Sequence, residues 1–300
     1  MTIIKEYHVA VGPFIFSVHS DISALHYYLE KHYKHCLLDI TEEHFVDYYI
    51  EVMQGRWYRR LYKPQAIFKF NYYAPFKPLP LNQAHALLEW GMNWVIASQA
   101  HQYFILHAAT VAKGDQGVII SAPSGSGKST LCAYLVSQGW TLLSDELALI
   151  DPDSMQLYGL ERPISLKNQS IELLKDYFSH EKFSKVIKDT QKGNISLLEP
   201  VPNNVIGSNT PIKPSHIVFI KYNPNENCYS ESVEPALALT EIIRNSFNFN
   251  VLDKAGFACA RKLVALTPVS YIEYNNFQLC EREILEVINS AKEDKLAYAN

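Results

Sequence analysis

Ala122-Pro123-Ser124-Gly125-Ser126-Gly127-Lys128-Ser129-Thr130 constrains this chain more than any other stretch. The apolar run Val118-Ile119-Ile120 leads into it, and a helix-compatible segment from Leu131 to Gln138 follows. A strand, a small-residue loop and a helix opening on Lys-Ser make up a phosphate-cradling P-loop. Successive backbone N–H groups converge there on one anion, helped by the helix N-terminus. Gly125 and Gly127 let the backbone approach without Cβ clashes. Ser124, Gly125, Ser126, Gly127, Lys128, Ser129 and Thr130 are therefore the expected phosphate contacts. Lys128 neutralises the β and γ oxygens, and the Ser129 hydroxyl sits on Mg²⁺. The first position of the motif is Ala122 rather than Gly, small enough to keep the loop.

Three hundred residues, 48% hydrophobic and 19% charged, suffice for one large or two modest domains. A net charge of −4 offers no basic field for nucleic acid or an anionic membrane, so neither is expected as a partner. No basic region followed by an apolar one opens the chain, and no window of 18 residues is free of strong polarity. The five scattered cysteines, Cys36, Cys132, Cys228, Cys259 and Cys280, contain no C-x-x-C pair, which fits reduced thiols in a cytoplasmic protein. The histidines form no metal-ligand pattern such as H-E-x-x-H, so no zinc is expected.

Residues 1–80 read as a small N-terminal α/β domain. Strands are expected at Phe14–Val18, Phe45–Val52 and Ala66–Phe70, with a helix from Ile22 to Tyr33. Pro75, Pro78 and Pro80 mark a boundary. Asn82 is the expected cap of a helix over 82–99 that leads into the second domain, 81–300. Phe104 to Val111 and Val118 to Ser121, joined at Lys113-Gly114-Asp115, predict a hairpin entering the loop. The loop helix stops at Gly139, and Trp140 to Leu143 predicts a short strand delivering Ser144-Asp145-Glu146. Later strands are expected at His216–Lys221 and Val269–Tyr274, with helices over Pro235–Asn245, Ala255–Leu266 and Glu281–Ala291. Lys188 to Gly193 reads as a loop with a Gly hinge, either a lid or a surface connection.

Asp145 and Glu146 end the strand after the loop helix, which puts them at the same carboxyl edge as the loop. Neighbouring side chains on a strand point to opposite sides, so one can face an acceptor and the other a metal. Arg162 and Lys167 bring the charges that a trianionic transition state uses, or else form surface pairs with Glu161 or Glu172.

These residues resemble the HPr kinase/phosphorylase superfamily, and more closely the HPr-kinase-related kinases. The P-loop, the interval to Asp145-Glu146 through Gly139 and a short apolar strand, and His107 on the arm before the loop carry the likeness. Leu88-Glu89-Trp90-Gly91-Met92-Asn93-Trp94 and Arg162-Pro163-Ile164-Ser165-Leu166-Lys167-Asn168 extend it toward the related kinases. The resemblance implies an α/β fold with a P-loop kinase domain of the phosphoenolpyruvate-carboxykinase-like kind. It implies ATP and Mg²⁺ as cofactors, a serine-type hydroxyl as acceptor, Asp145 as base and Lys128 as phosphate clamp. Ser129 and Glu146 then serve Mg²⁺, although HPr kinase has Asp at the second acidic position. His107 lies beside the phosphates by the same resemblance. HPr kinases assemble, so a homo-oligomer is compatible.

The expected function is an ATP-dependent kinase acting on a hydroxyl of a protein, peptide or small molecule. HPr kinase's C-terminal docking signature is not found, so an acceptor other than HPr is expected. A P-loop ATPase and a nucleotide-binding regulatory module without transfer are the alternatives.

Overall fold

The computed structural model describes residues 3–59, 62–123, 125–190, 192–199 and 210–297. It opens with a hairpin whose first strand the sequence pattern did not predict, β1 (Lys5–Val11) and β2 (Phe14–Ser20). Helix α1 (Ser23–His32) and strands β3 (Leu37–Leu38), β4 (Tyr48–Gln54), β5 (Gln65–Phe70) and β6 (Leu79–Pro80) follow, then helix α2 (Ala84–Gln99). The strands form one sheet in the order β3-β1-β2-β4-β5-β6. Its inward side chains, Val9, Val11, Phe14, Phe16, Val18, Ile50, Val52 and Phe68, are all buried. Each such side chain contributes about 1.5–3 kcal/mol relative to exposure.

Three expectations shift in this region. The strand expected at Phe45–Val52 lies at Tyr48–Gln54 instead, because β4 pairs in parallel with β2 from Phe16↔Tyr48 onward, leaving Phe45 exposed. Asn82 does not cap α2: it sits inside a 3₁₀ turn, Leu81–Gln83, and the helix starts without a side-chain cap. The boundary drawn after Pro80 separates α2 from the sheet on which it packs. Gly91 shows how closely: a Cβ there would lie 2.0 Å from the Phe68 ring.

The second half begins with β7 (Phe104–His107), β8 (Ala109–Lys113) and β9 (Gln116–Ser121), then α3 (Lys128–Ser137) and β10 (Thr141–Ser144). Next come β11 (Leu147–Ile150), β12 (Leu157–Tyr158), β13 (Ile164–Lys167), α4 (Gln169–Leu174), β14 (Ile187–Thr190) and β15 (Gly193–Leu198). The chain closes through β16 (Pro214–Tyr222), β17 (Tyr229–Ser232), α5 (Pro235–Arg244), α6 (Phe249–Leu252), α7 (Lys254–Leu266), β18 (Val269–Tyr274) and α8 (Phe277–Ala297).

The main sheet runs β10-β8-β9-β16-β18-β17, with β9, β16 and β18 mutually parallel. Its interior is covered on both sides, so β9 is apolar at consecutive positions. Val118 and Ile120 pack with α3 and α8, whereas Ile119 packs with α5 and α7. The single arm expected over Phe104–Val111 breaks at Ala108: β7 pairs with β11 in a separate sheet, and only β8 forms the hairpin with β9. In the segment expected as a Lys188–Gly193 loop, Lys188 to Thr190 end β14 and Gly193 opens β15, two strands of a fourth sheet, β13-β15-β14. Together these elements make a mixed α/β architecture with several sheets. Among the described residues, no helix is long and apolar enough to cross a membrane.

Candidate active site

The P-loop leaves β9 through Ala122 and closes on α3. Gly125 and Gly127 adopt φ of 87° and 86°, the left-handed region that glycine enters without strain. A Cβ at Gly127 would also sit 3.1 Å from the Tyr274 hydroxyl, a tight contact that adds to the backbone's preference for glycine there. Helix α3 starts at Lys128, and the Leu131 N–H returns to the Gly127 carbonyl at 2.8 Å. The first-turn N–H groups ahead of it have no intrahelical acceptor and favour an anion. Ser124, expected among the phosphate contacts, lies outside the described residues.

A cavity of about 390 Å³ opens over this loop. The structure brings Gly125, Gly127, Lys128, Ser129, Thr130, Asp145, Glu146 and His107 to its wall. Strand β10 runs antiparallel to β8, and β8 antiparallel to β9, so β10 and β9 end at one edge. That places the carboxylates opposite the loop, as the strand order requires.

Asp145 and Glu146 diverge. The buried Asp145 accepts the Ser165 N–H on Oδ2 at 3.0 Å, while its buried Oδ1 has no well-formed hydrogen bond. Burial, and then Glu146 next to it, raises its pKa, against the pull of Ser129, Ser165 and Lys128. Glu146 turns the other way and accepts Asn93 Nδ2 at 2.7 Å on Oε2. Lys128 is largely buried, and its ammonium reaches the His107 carbonyl at 3.4 Å. Burial lowers its pKa, opposed by the charges of Asp145 and Glu146. The Thr130 and Ser170 hydroxyls share a hydrogen bond of 2.6 Å. His107 is pushed down to about 4, first by burial and then by Lys128, so its ring is neutral at pH 7.

Arg162 requires a correction. Expected to face the transferring phosphoryl group, it is instead absent from the cavity wall and buried against α2. Its guanidinium donates to the Glu89 carbonyl at 2.7 Å, to the Glu89 carboxylate and to Asn93 Oδ1. Glu89 in turn accepts the hydroxyls of Tyr28 at 2.8 Å and Tyr33 at 2.6 Å; Tyr28 lies on α1 and Tyr33 at its C-terminal end. Arg162 therefore lies beside the P-loop cavity rather than on its wall: with Asn93, Asp145 and Glu146 it lines a small adjoining cavity of about 30 Å³. The alternative surface pairs with Glu161 or Glu172 are not its contacts.

Two other lysines supply the cavity's positive charge. Lys167 ends β13, and Lys192 sits in the turn between β14 and β15. The Lys192 ammonium lies 5.8 Å over the Trp90 ring, a cation–π contact that holds the hairpin tip beside the site. Sequence reasoning gave no role to Asn93, Ser165, Asn168, Ser170 or Lys192 individually. The first three fall inside the two segments that extend the resemblance toward the related kinases, which is the signal that marked their neighbourhood.

Magnesium commonly takes one or two carboxylates together with substrate phosphates. The unsatisfied Asp145 Oδ1, with Glu146 and the Ser129 hydroxyl on the same wall, fits that donor set. Among the described residues, no group of three or more His, Cys, Asp or Glu side chains forms a self-sufficient metal cage.

No family model matches the chain, and no curated protein matches it. Among solved structures, the HPr(Ser) kinase/phosphatase from Coxiella burnetii is similar at 13% identity. That likeness covers 65% of this chain and 96% of that chain, with a TM-score of 0.33. Overlap at this level carries no functional weight; the geometry of the cavity does.

Proposed function

We propose that this protein is an ATP-dependent kinase that transfers the γ-phosphoryl group to a hydroxyl, serine-type, on a protein, peptide or small molecule other than HPr. The observation that carries the reading is the buried Asp145 carboxylate, with one oxygen free, facing the same cavity as Lys128 and the P-loop. A carboxyl whose pKa is raised by burial is a better base for a hydroxyl proton than an exposed one. Asp145 takes that proton, and Lys128 holds the β and γ oxygens. The neutral His107 ring offers a hydrogen bond to the transferring group. Ser129 and Glu146 hold Mg²⁺, which neutralises charge on the triphosphate.

Calorimetry with ATP–Mg²⁺ on Lys128→Ala tests the cradle. The expected outcome is a folded variant with strongly weakened ATP binding and no turnover. Unchanged ATP affinity would sink the assignment. With wild-type protein, ADP should accumulate only when an acceptor-containing extract is present; ADP formed equally without it means phosphate transfer to water.

A further inference from the structure

The main sheet splits the P-loop's surroundings into two unlike halves. On the β10 side stand Asp145 and Glu146, with Lys167 and Lys192 beyond. On the other side, β16 and β18 run parallel to β9, so their carboxyl ends emerge at the same edge. There lies a second, open depression of about 710 Å³, formed by Tyr222, Pro224, Asn275, Asn276, Gln278 and Leu279. Among the described residues, no charged side chain lines it.

The two halves meet at Gly127, whose missing Cβ would lie 3.1 Å from the Tyr274 hydroxyl and 3.9 Å from Tyr222 Cβ. A triphosphate lying along the loop, with its most charged end at Lys128, directs the rest of its nucleotide past this point. Two features there suit an uncharged, flat, hydrogen-bonding group. Tyr222 is 48% exposed, and its ring meets Tyr274 in a T-shaped contact at 5.6 Å. Asn275 Oδ1 is buried without a hydrogen-bond partner, and so is the Tyr274 hydroxyl. Of the two, Asn275 is on the groove wall, and an unsatisfied polar group there favours a ligand that satisfies it.

We infer that the Tyr222–Asn275 groove is the subsite for the adenine base of the bound nucleotide, an inference that rests on the proposed nucleotide-binding function. The Tyr222 ring stacks on the base. Asn275 Oδ1 accepts from the exocyclic amino group, and the carboxamide N–H₂ donates to the neighbouring ring nitrogen, the pairing a carboxamide makes with adenine.

Calorimetry with three Mg²⁺-loaded probes tests this: ATP, purine riboside triphosphate, which lacks the amino group, and inorganic tripolyphosphate, which lacks the nucleoside. Wild type should bind ATP at least tenfold tighter than tripolyphosphate. Tyr222→Ala should weaken ATP by roughly 5- to 160-fold, the range of one base–aromatic stack, and leave tripolyphosphate unchanged. Tyr222→Phe should retain ATP affinity, which separates stacking from misfolding. Asn275→Ala should abolish the preference of wild type for ATP over purine riboside triphosphate. Equal affinity of wild type for ATP and tripolyphosphate, or a Tyr222→Ala variant that binds ATP normally, overturns the subsite while leaving the phosphate cradle intact. Failure of both ATP and tripolyphosphate to bind overturns the nucleotide-binding reading and this subsite with it.

Discussion

Two buried carboxylates, one on α2 and one just past β10, meet opposite fates. Glu89 is 4% exposed and Asp145 8%. Glu89 has its lone pairs filled by Tyr28, Tyr33 and the Arg162 guanidinium. Asp145 has one backbone N–H, the Ser129 hydroxyl and the Lys128 charge nearby, and an Oδ1 without a well-formed hydrogen bond. Burying a charge is tolerable when hydrogen bonds and an opposite charge offset the lost hydration. Glu89 meets that condition inside the protein. Asp145 meets it only when a proton, a cation or a substrate hydroxyl arrives. The first is a fold node that ties α1 to α2 and to the segment before β13. The second is a place where the fold has left chemistry unfinished.

The largest effect that tests this contrast is on stability. Removing one member of a buried, hydrogen-bonded ion pair strands the other and costs about 3–5 kcal/mol. Arg162→Ala should therefore lower unfolding free energy by about that amount in urea titrations. Joint replacement, Glu89→Gln with Arg162→Met, should be milder than the single change, because no charge is left alone and an amide oxygen still accepts the Tyr28 and Tyr33 hydroxyls. An Arg162→Ala loss below about 1 kcal/mol, the range of an exposed pair, would break the comparison.

Asp145→Asn should behave oppositely, sparing the fold and hurting the reaction. Phosphoryl transfer should fall by a factor on the order of 10² to 10⁴, the range for a positioned base. If Asp145 acts as base, saturating Mg²⁺ does not restore the rate; restoration would move it to the metal. The stability sign follows from its raised pKa. Below the ordinary carboxyl value of 3.8 the protonated side chain is at no disadvantage, and stability is lost as pH rises through the higher folded value. Asparagine escapes that loss, so the stability of Asp145→Asn relative to wild type should grow with pH. A constant difference across the pH range would mean that Asp145 is not held against its charge.

The contrast also explains what the sequence made legible. The strand–loop–helix around Gly125, Gly127 and Lys128 is contiguous, so local sequence carries its description, and Asp145-Glu146 follow directly on one short strand. The place of Arg162 was not legible, because its partner Glu89 lies 73 positions away and only the packing of α2 brings them together. Lys192 escaped for a similar reason: its role depends on β14 and β15 folding back on β13 beside Trp90. The break between β7 and β8 was hidden because the run from Phe104 to Val111 is apolar on both sides of Ala108, and periodicity alone cannot say which sheet a residue joins. Local chemistry was legible; long-range pairing was not.

The smallest expected effect concerns two histidines with the same depressed pKa and different surroundings. His107 on the cavity wall and His32 in the N-terminal half are each pushed down to about 4, in both cases first by burial. For a base with a lowered folded pKa, the stabilising contribution is complete above the unfolded value of 6.5 and is lost as pH falls toward about 4. His107→Gln and His32→Gln should each flatten part of the acid-induced loss of stability across that window. The loss at His107 should be modest, since its partly exposed ring is screened by solvent. Ligand separates the pair. A bound triphosphate brings negative charge next to His107, beside Lys128, and an opposite charge nearby favours the protonated ring. The His107 titration midpoint should therefore move upward when ATP–Mg²⁺ is added, while that of His32 stays where it is. Side-chain NMR titrations with and without ATP read both rings in one sample. Equal movement of the two would mean a global change rather than an anion at the cavity, and no movement at His107 would place the triphosphate away from the loop.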